Sequence, residues 1–223
     1  MNIRVPTGAS TAANMSTLLV VFVTVALHLN VLYAEDVADF LRGREIVINR
    51  QRACRQPVNL RPIFDNFHNT LRQKVAGGIP LSNTQHVQQR LMYGLIYDCL
   101  LEKEANKVVR NKGGVGNLGV IKFTKDYDGR LPKAVEDGFN ELIQKDRLAL
   151  YQIIYPRATR FACARTVGRG SGGRNRIGVA CVYDKKPGGS SLIFGGACKS
   201  DGDCKYYGGT CKWHLCYTTI EST

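Results

Sequence analysis

The chain has 223 residues, with 31 Lys and Arg against 18 Asp and Glu, a formal net charge of +13. That length makes one good-sized domain with an appendage, and the charge favours anionic partners. Eight cysteines with no C-x-x-C spacing argue against a zinc site and for a disulfide framework.

The first 34 residues read as a signal peptide. LLVVFVTVAL (Leu18 to Leu27) is an apolar run of leader length. His28 and Asn30 interrupt it, which makes it too short to span a bilayer. Ala34 suits cleavage in VLYA/ED, and Met15 is a second candidate start. All eight cysteines follow residue 34, and no N-x-[ST] sequon occurs there. Losing the leader removes only Arg4 from the charge count and leaves a net +12. No later segment is apolar enough to cross a membrane, so the mature chain is expected to be secreted. Outside the cell its anionic partners would be sulfated glycans, acidic proteins or lipid headgroups rather than nucleic acid.

Three amphipathic helices are predicted next. LRPIFDNFHNTLRQKVAGG places Ile63, Phe64, Phe67, Leu71 and Val75 on one face, and Gly77 and Gly78 stop it. His86, in the polar stretch SNTQHVQQR, reads as a solvated loop residue. LMYGLIYDCLLEKEANKVVRN fits a second helix with Leu95, Cys99, Ala105 and Val109 inward, and KGGVGNLG ends it. Asp126 and Asp128 in KDYDG are expected in one hydrophilic turn. LPKAVEDGFNELIQ is the third helix, with Pro132 in its first turn and Val135, Phe139 and Leu142 as its stripe.

The last third reads as strands. RFACARTV (160–167) and RIGVACVYD (176–184) are rich in β-branched residues and carry Cys163 and Cys181. SLIFGG (191–196) is a possible third strand. Between the first two lies GRGSGGRNR, which satisfies G-x-G-x-x-G. A dinucleotide fingerprint needs a helix after the glycines, and here a strand follows, so that reading fails. The loop instead offers Arg165, Arg169, Arg174 and Arg176 as an anion-binding candidate, since glycine-rich turns expose N–H groups and arginine grips oxyanions in bidentate fashion. From Cys198 the spacing C-x5-C-x6-C-x4-C fills nineteen residues, too few for a core, so the tail must be stapled. Tyr206, Tyr207 and Trp213 on this tail either form a partner surface or fill its own small core.

Several of these stretches carry a family likeness. FHNTLRQKVAGG (Phe67 to Gly78) resembles the first-helix signature H-N-x-x-R-x-x-V-A of secreted CAP-superfamily (SCP/TAPS) proteins. LIYDCLLEKEA resembles the second-helix pattern L-x-Y-D-C-x-L-E-x-x-A of the nematode activation-associated, venom-allergen-like members. GVACVYDKKPGG and GGACKSDGDCKYYGGTCKWHLC resemble the family's strand-and-turn and its cysteine-rich hinge. The resemblance implies an α+β chain folded as a three-layer α-β-α sandwich over 35–197, with a hinge-like tail over 198–223. It also implies the pairings Cys54–Cys99, Cys163–Cys181, Cys198–Cys211 and Cys204–Cys216.

The departures from the family bear on function. CAP proteins usually carry two histidines and two acids in a central cleft able to bind a divalent metal. LALYQIIY (Leu148 to Tyr155) keeps Gln152 of the matching motif but puts Ala149 at the histidine position. Gly116 in VGNL replaces an acid, and Gly138 replaces a tryptophan. Glu141 in GFNELI is the one cleft acid retained. A single carboxylate does not hold a metal with family geometry, so no metal, no cofactor and no enzymatic activity are expected. His68 belongs to the helix signature and takes a structural role, and no G-x-S-x-G or paired histidine supplies a hydrolytic triad. The resemblance implies a non-enzymatic host-interaction or immunomodulatory effector binding an anionic glycan or protein. A sterol or fatty-acid carrier is the alternative.

Overall fold

The structure is a computed structural model that describes residues 19–28, 46–81, 87–188 and 193–220. It divides into two units, Met1–Arg42 and Gly43–Thr223. In the first, residues 19–28 form helix α1, where the Thr24 hydroxyl donates to the Val20 carbonyl at 3.0 Å. Among the described residues no helix is long and apolar enough to cross a membrane. The expected cleavage site after Ala34, Met15 and His86 lie outside the described residues.

In the second unit the strands are β1 (Ile48–Asn49), β2 (Ile96–Asp98), β3 (Gly119–Tyr127), β4 (Arg160–Arg169) and β5 (Asn175–Tyr183). They form one mixed sheet in the order β1-β2-β4-β5-β3. β1, β2 and β4 run parallel, and β5 lies antiparallel to both β4 and β3. The helices are α2 (Arg61–Gly77), α3 (Leu101–Val109), α4 (Leu131–Lys145) and α5 (Arg147–Ile153).

Side chains alternate across a strand, and that alternation sorts the layers. Phe161, Cys163, Cys181, Tyr183, Ile121 and Phe123 share one face, which α2, α4 and α5 cover. Ala164 and Val182 point to the other face, where Ala105 of α3 packs on them. Small residues there let α3 approach the sheet closely. This is the three-layer α-β-α arrangement.

Several elements differ from the sequence reading. The second helix was expected over 91–111, yet it spans only Leu101–Val109, because Ile96–Asp98 is a strand. That strand is buried on both faces, so its run of apolar residues lacks alternation and mimics a helix segment. Asp98 then turns the chain toward α3 by accepting the Leu100 N–H at 3.0 Å. β3 runs through Asp126 to Tyr127, so of the turn expected at KDYDG only Asp128 and Gly129 form the bend. Residues 193–196 of SLIFGG are not a strand, although the Ile193 carbonyl accepts the Leu91 N–H at 3.1 Å. The short helix α5 follows from Asp146, whose carboxylate caps the N–H groups of Leu148 and Ala149 at 2.9 and 3.0 Å.

Four disulfides join Cys54 to Cys99, Cys163 to Cys181, Cys198 to Cys211 and Cys204 to Cys216. Cys163 and Cys181 are direct register partners on β4 and β5. The tail forms a two-stranded ribbon, β6 (Thr210–Lys212) and β7 (Leu215–Tyr217), laid against the sandwich. Leu215 and Tyr217 are buried in the main core. Tyr217 lies so close over Gly94 that any side chain there would collide with its ring.

Candidate functional site

The loop GRGSGGRNR caps the β4–β5 ribbon, and its four arginines do not converge. Arg165 and Arg169 share the α4 face of the sheet, whereas Arg176 points to the α3 face. There Arg176 meets Asp126 of β3, its register partner, with Nη2 2.9 Å from the carboxylate. The same carboxylate accepts the Ser171 N–H at 3.4 Å. Asp126 is held down to about 2, chiefly by the hydrogen bond from Arg176. Within the loop, Arg176 and the Ser171 N–H are thus taken up by this protein's own Asp126. Arg165 is half-buried, and Arg169 and Arg174 are exposed at the tip. Neither exposed arginine makes an ion pair among the described residues.

The cleft positions lie apart from one another. Glu141 on α4 is ion-paired with Lys125 of β3 and lies 3.8 Å from Lys145. Its carboxyl is held below the usual range, mainly by the hydrogen bond from Lys125. Gln152 is buried and donates to the Lys185 carbonyl at 2.9 Å. It lines a cavity of about 600 Å³ with Ala149, Leu118, Ile121 and Leu148, and Glu141 is not part of that lining. Gly138 lets α4 press onto β3, since a side chain there would run into the Phe123 ring.

His68 and Arg72, one turn apart on α2, are core polar groups. The His68 Nδ1–H donates to the Phe64 carbonyl at 2.6 Å, which leaves Nε2 to accept from the Tyr183 hydroxyl at 2.7 Å. Both ring nitrogens are thus engaged in the neutral form. Arg72 donates to the carbonyls of Tyr93, Ile153 and Ala158 at 2.7, 2.7 and 2.9 Å. Burial draws its guanidinium down to about 10. Among the described residues, three groups of His, Cys, Asp or Glu converge as a metal site would, and each includes disulfide-bonded cysteines.

The tail separates its three aromatics. Trp213 is half-buried, stacked edge-on against Tyr217 at 5.6 Å, while Tyr206 and Tyr207 are exposed. Two cations that the sequence reading did not connect with the tyrosines stand over them: Arg157 over Tyr206 and Lys185 over Tyr207. Nothing local marks that contact, because Arg157 and Tyr206 meet only after the tail docks.

Fold and cysteine framework define a disulfide-stapled α-β-α sandwich with a cysteine-rich tail, and comparison with known proteins places it. No family model matches the chain. It is 38% identical to the solved Ancylostoma-secreted protein Ac-ASP-7, with a TM-score of 0.67, covering 80% of this chain and 100% of that one. A structure described as manganese-bound Ac-ASP-7 is also 38% identical, with a TM-score of 0.68 and coverage of 78% and 96%. The Ancylostoma secreted protein of Ancylostoma caninum is 25% identical over 187 residues, and the match covers 70% of this chain and 42% of that protein. The chain thus spans less than half the length of that curated relative. It belongs to the CAP superfamily, among the nematode secreted and venom-allergen-like proteins.

Proposed function

We propose that the protein is exported and acts outside the cell as a non-enzymatic host-interaction effector that binds an anionic partner, a sulfated glycan or an acidic protein. The observation that carries this reading is the pair Arg169 and Arg174, exposed and without ion pairs on a hairpin tip fixed by Asp126. Cations exposed and unpaired on the tip remain available to an anion from outside the chain. The leader-like α1 segment and the likeness to secreted Ancylostoma proteins support export. The positions where the family resemblance places cleft metal ligands offer a poor donor set. Gly116 and Ala149 offer no ligand atoms, Glu141 faces two lysines, and His68 uses both nitrogens in the core. The same gaps support the absence of catalysis.

The test is elution from a heparin column compared with a plain cation exchanger. The wild type should elute from heparin at distinctly higher salt, and R169S/R174S should lose a measurable part of that difference. Equal elution from both columns would refute the reading. Carriage of a sterol or fatty acid is a second reading, favoured by the 600 Å³ cavity beside Leu118, Ile121 and Leu148. Native mass spectrometry showing co-purified lipid would support it.

A further inference from the structure

Tyr206 and Tyr207 stand side by side on the stapled tail, 45% and 39% exposed, with ring centres 4.5 Å apart and planes nearly perpendicular. The Arg157 guanidinium lies 4.8 Å from the Tyr206 ring centre, and the Lys185 ammonium lies 4.0 Å from that of Tyr207. Lys185 also donates to the Tyr207 hydroxyl at 2.7 Å, which leaves that hydroxyl its own proton to give. A cation held on an aromatic face keeps its formal charge, and a stacked guanidinium still presents its in-plane N–H groups.

These charges are not neutralised by ion pairing among the described residues. The carboxylates of Asp184, Asp201 and Asp203 hold other groups. Asp184 accepts the Thr159 N–H at 3.0 Å and the Thr159 hydroxyl at 2.7 Å. Asp203 accepts the N–H groups of Lys199 and Ser200 at 2.8 and 2.9 Å, and Asp201 accepts that of Cys211 at 2.7 Å. The Arg157 Nε–H is buried and has no acceptor, so the guanidinium would meet a ligand through its terminal Nη groups. The platform is also rigid. Buried Tyr93 accepts the Tyr207 N–H at 2.7 Å and donates to the Cys204 carbonyl at 3.1 Å, beside the Cys204–Cys216 bridge.

We propose that Arg157, Tyr206, Tyr207 and Lys185 form a binding platform for a sulfated saccharide, an inference that rests on the reading of the protein as a binder of anions. Sulfate oxygens would take the Arg157 and Lys185 donors. The apolar C–H face of a pyranose ring would lie on the exposed tyrosine surface, with the phenol groups at its hydroxyls. An acidic peptide would use the cations but leave the rings without a matching surface. Arg157 precedes β4 and Lys185 follows β5, whereas the hairpin tip lies at the far end of those strands, roughly 30 Å away for nine residues of extended chain. A short oligosaccharide therefore reaches one site and not both.

The test is calorimetric titration of the full chain with a heparin-derived tetrasaccharide, set against a glutamate-rich peptide. Three charge-matched double variants are compared: R157Q/K185Q at the platform, R169Q/R174Q at the hairpin, and K199Q/K212Q elsewhere on the tail. The platform pair should weaken saccharide binding at least about tenfold, and the control pair less than about threefold. Y206L, which keeps both cations, should also weaken binding, so the result does not hang on one variant's folding. Loss confined to the hairpin variant would overturn the platform and leave the anion-binding reading intact. Equal losses in all three pairs, or tighter binding of the peptide, would overturn it as well. No binding by the wild type would overturn both.

Discussion

Arg176 of β5 and Asp126 of β3 are register partners on neighbouring antiparallel strands, and their side chains close an ion pair on the α3 face. Asp126 has a pKa of about 2 in the fold against an ordinary 3.8. A depressed carboxylate contributes stability above its ordinary value and loses it as pH falls through its folded value. D126N should therefore melt below the wild type at pH 5 to 7, with the gap closing as pH falls from about 4 toward 2. Melting curves across that range check it. A gap that persists unchanged at pH 2 would contradict the pairing.

Arg72 carries a larger share of the fold. R72M would leave the carbonyls of Tyr93, Ile153 and Ala158 without their donor inside the core. At about 1–3 kcal/mol per orphaned group, the loss should be at least about 3 kcal/mol. R72K should rescue little, since one ammonium cannot reproduce the guanidinium fork. Urea unfolding at neutral pH measures both.

The sequence carries these features unevenly. The stripe of Phe64, Leu71 and Val75 makes α2 plain, and the paired β-rich runs make β4 and β5 plain. β3 was missed because its end, Lys125 to Tyr127, lies in the polar stretch KDYDG, which read as a turn. The period-two pattern in VIKFTKDY was its available signal. The substitutions at Gly116 and Ala149 were visible in the chain. The ion pair that occupies the hairpin joins positions 50 apart, and the cation over Tyr206 depends on how the tail docks through Tyr93. Contacts of that kind have no local period to betray them.

The hairpin tip should be an early point of attack by an arginine-specific protease. Arg169 and Arg174 are exposed, and Gly172 and Gly173 have open space around them. Cys163 and Cys181 flank both bonds, so a nicked chain should run intact on a non-reducing gel and split on reduction. Separation of the fragments without reductant would contradict that bridge.

Manganese should not raise the melting temperature, because Ala149 and Gly116 supply no ligands and Glu141 pairs with Lys125. A ligand that binds only the folded state stabilises it. A concentration-dependent rise with added manganese would show a site that these residues do not provide.

The most direct test of the anion-binding account is amide chemical-shift mapping of the isotope-labelled protein with a sulfated octasaccharide. The account predicts shifts at the hairpin residues 168–176, at Arg157 and Lys185, and at the tail residues 204–209, with Leu118, Ile121 and Ala149 unmoved. Shifts centred on Ala149, Gln152 and the neighbouring cavity, or none anywhere at saturating ligand, would contradict it.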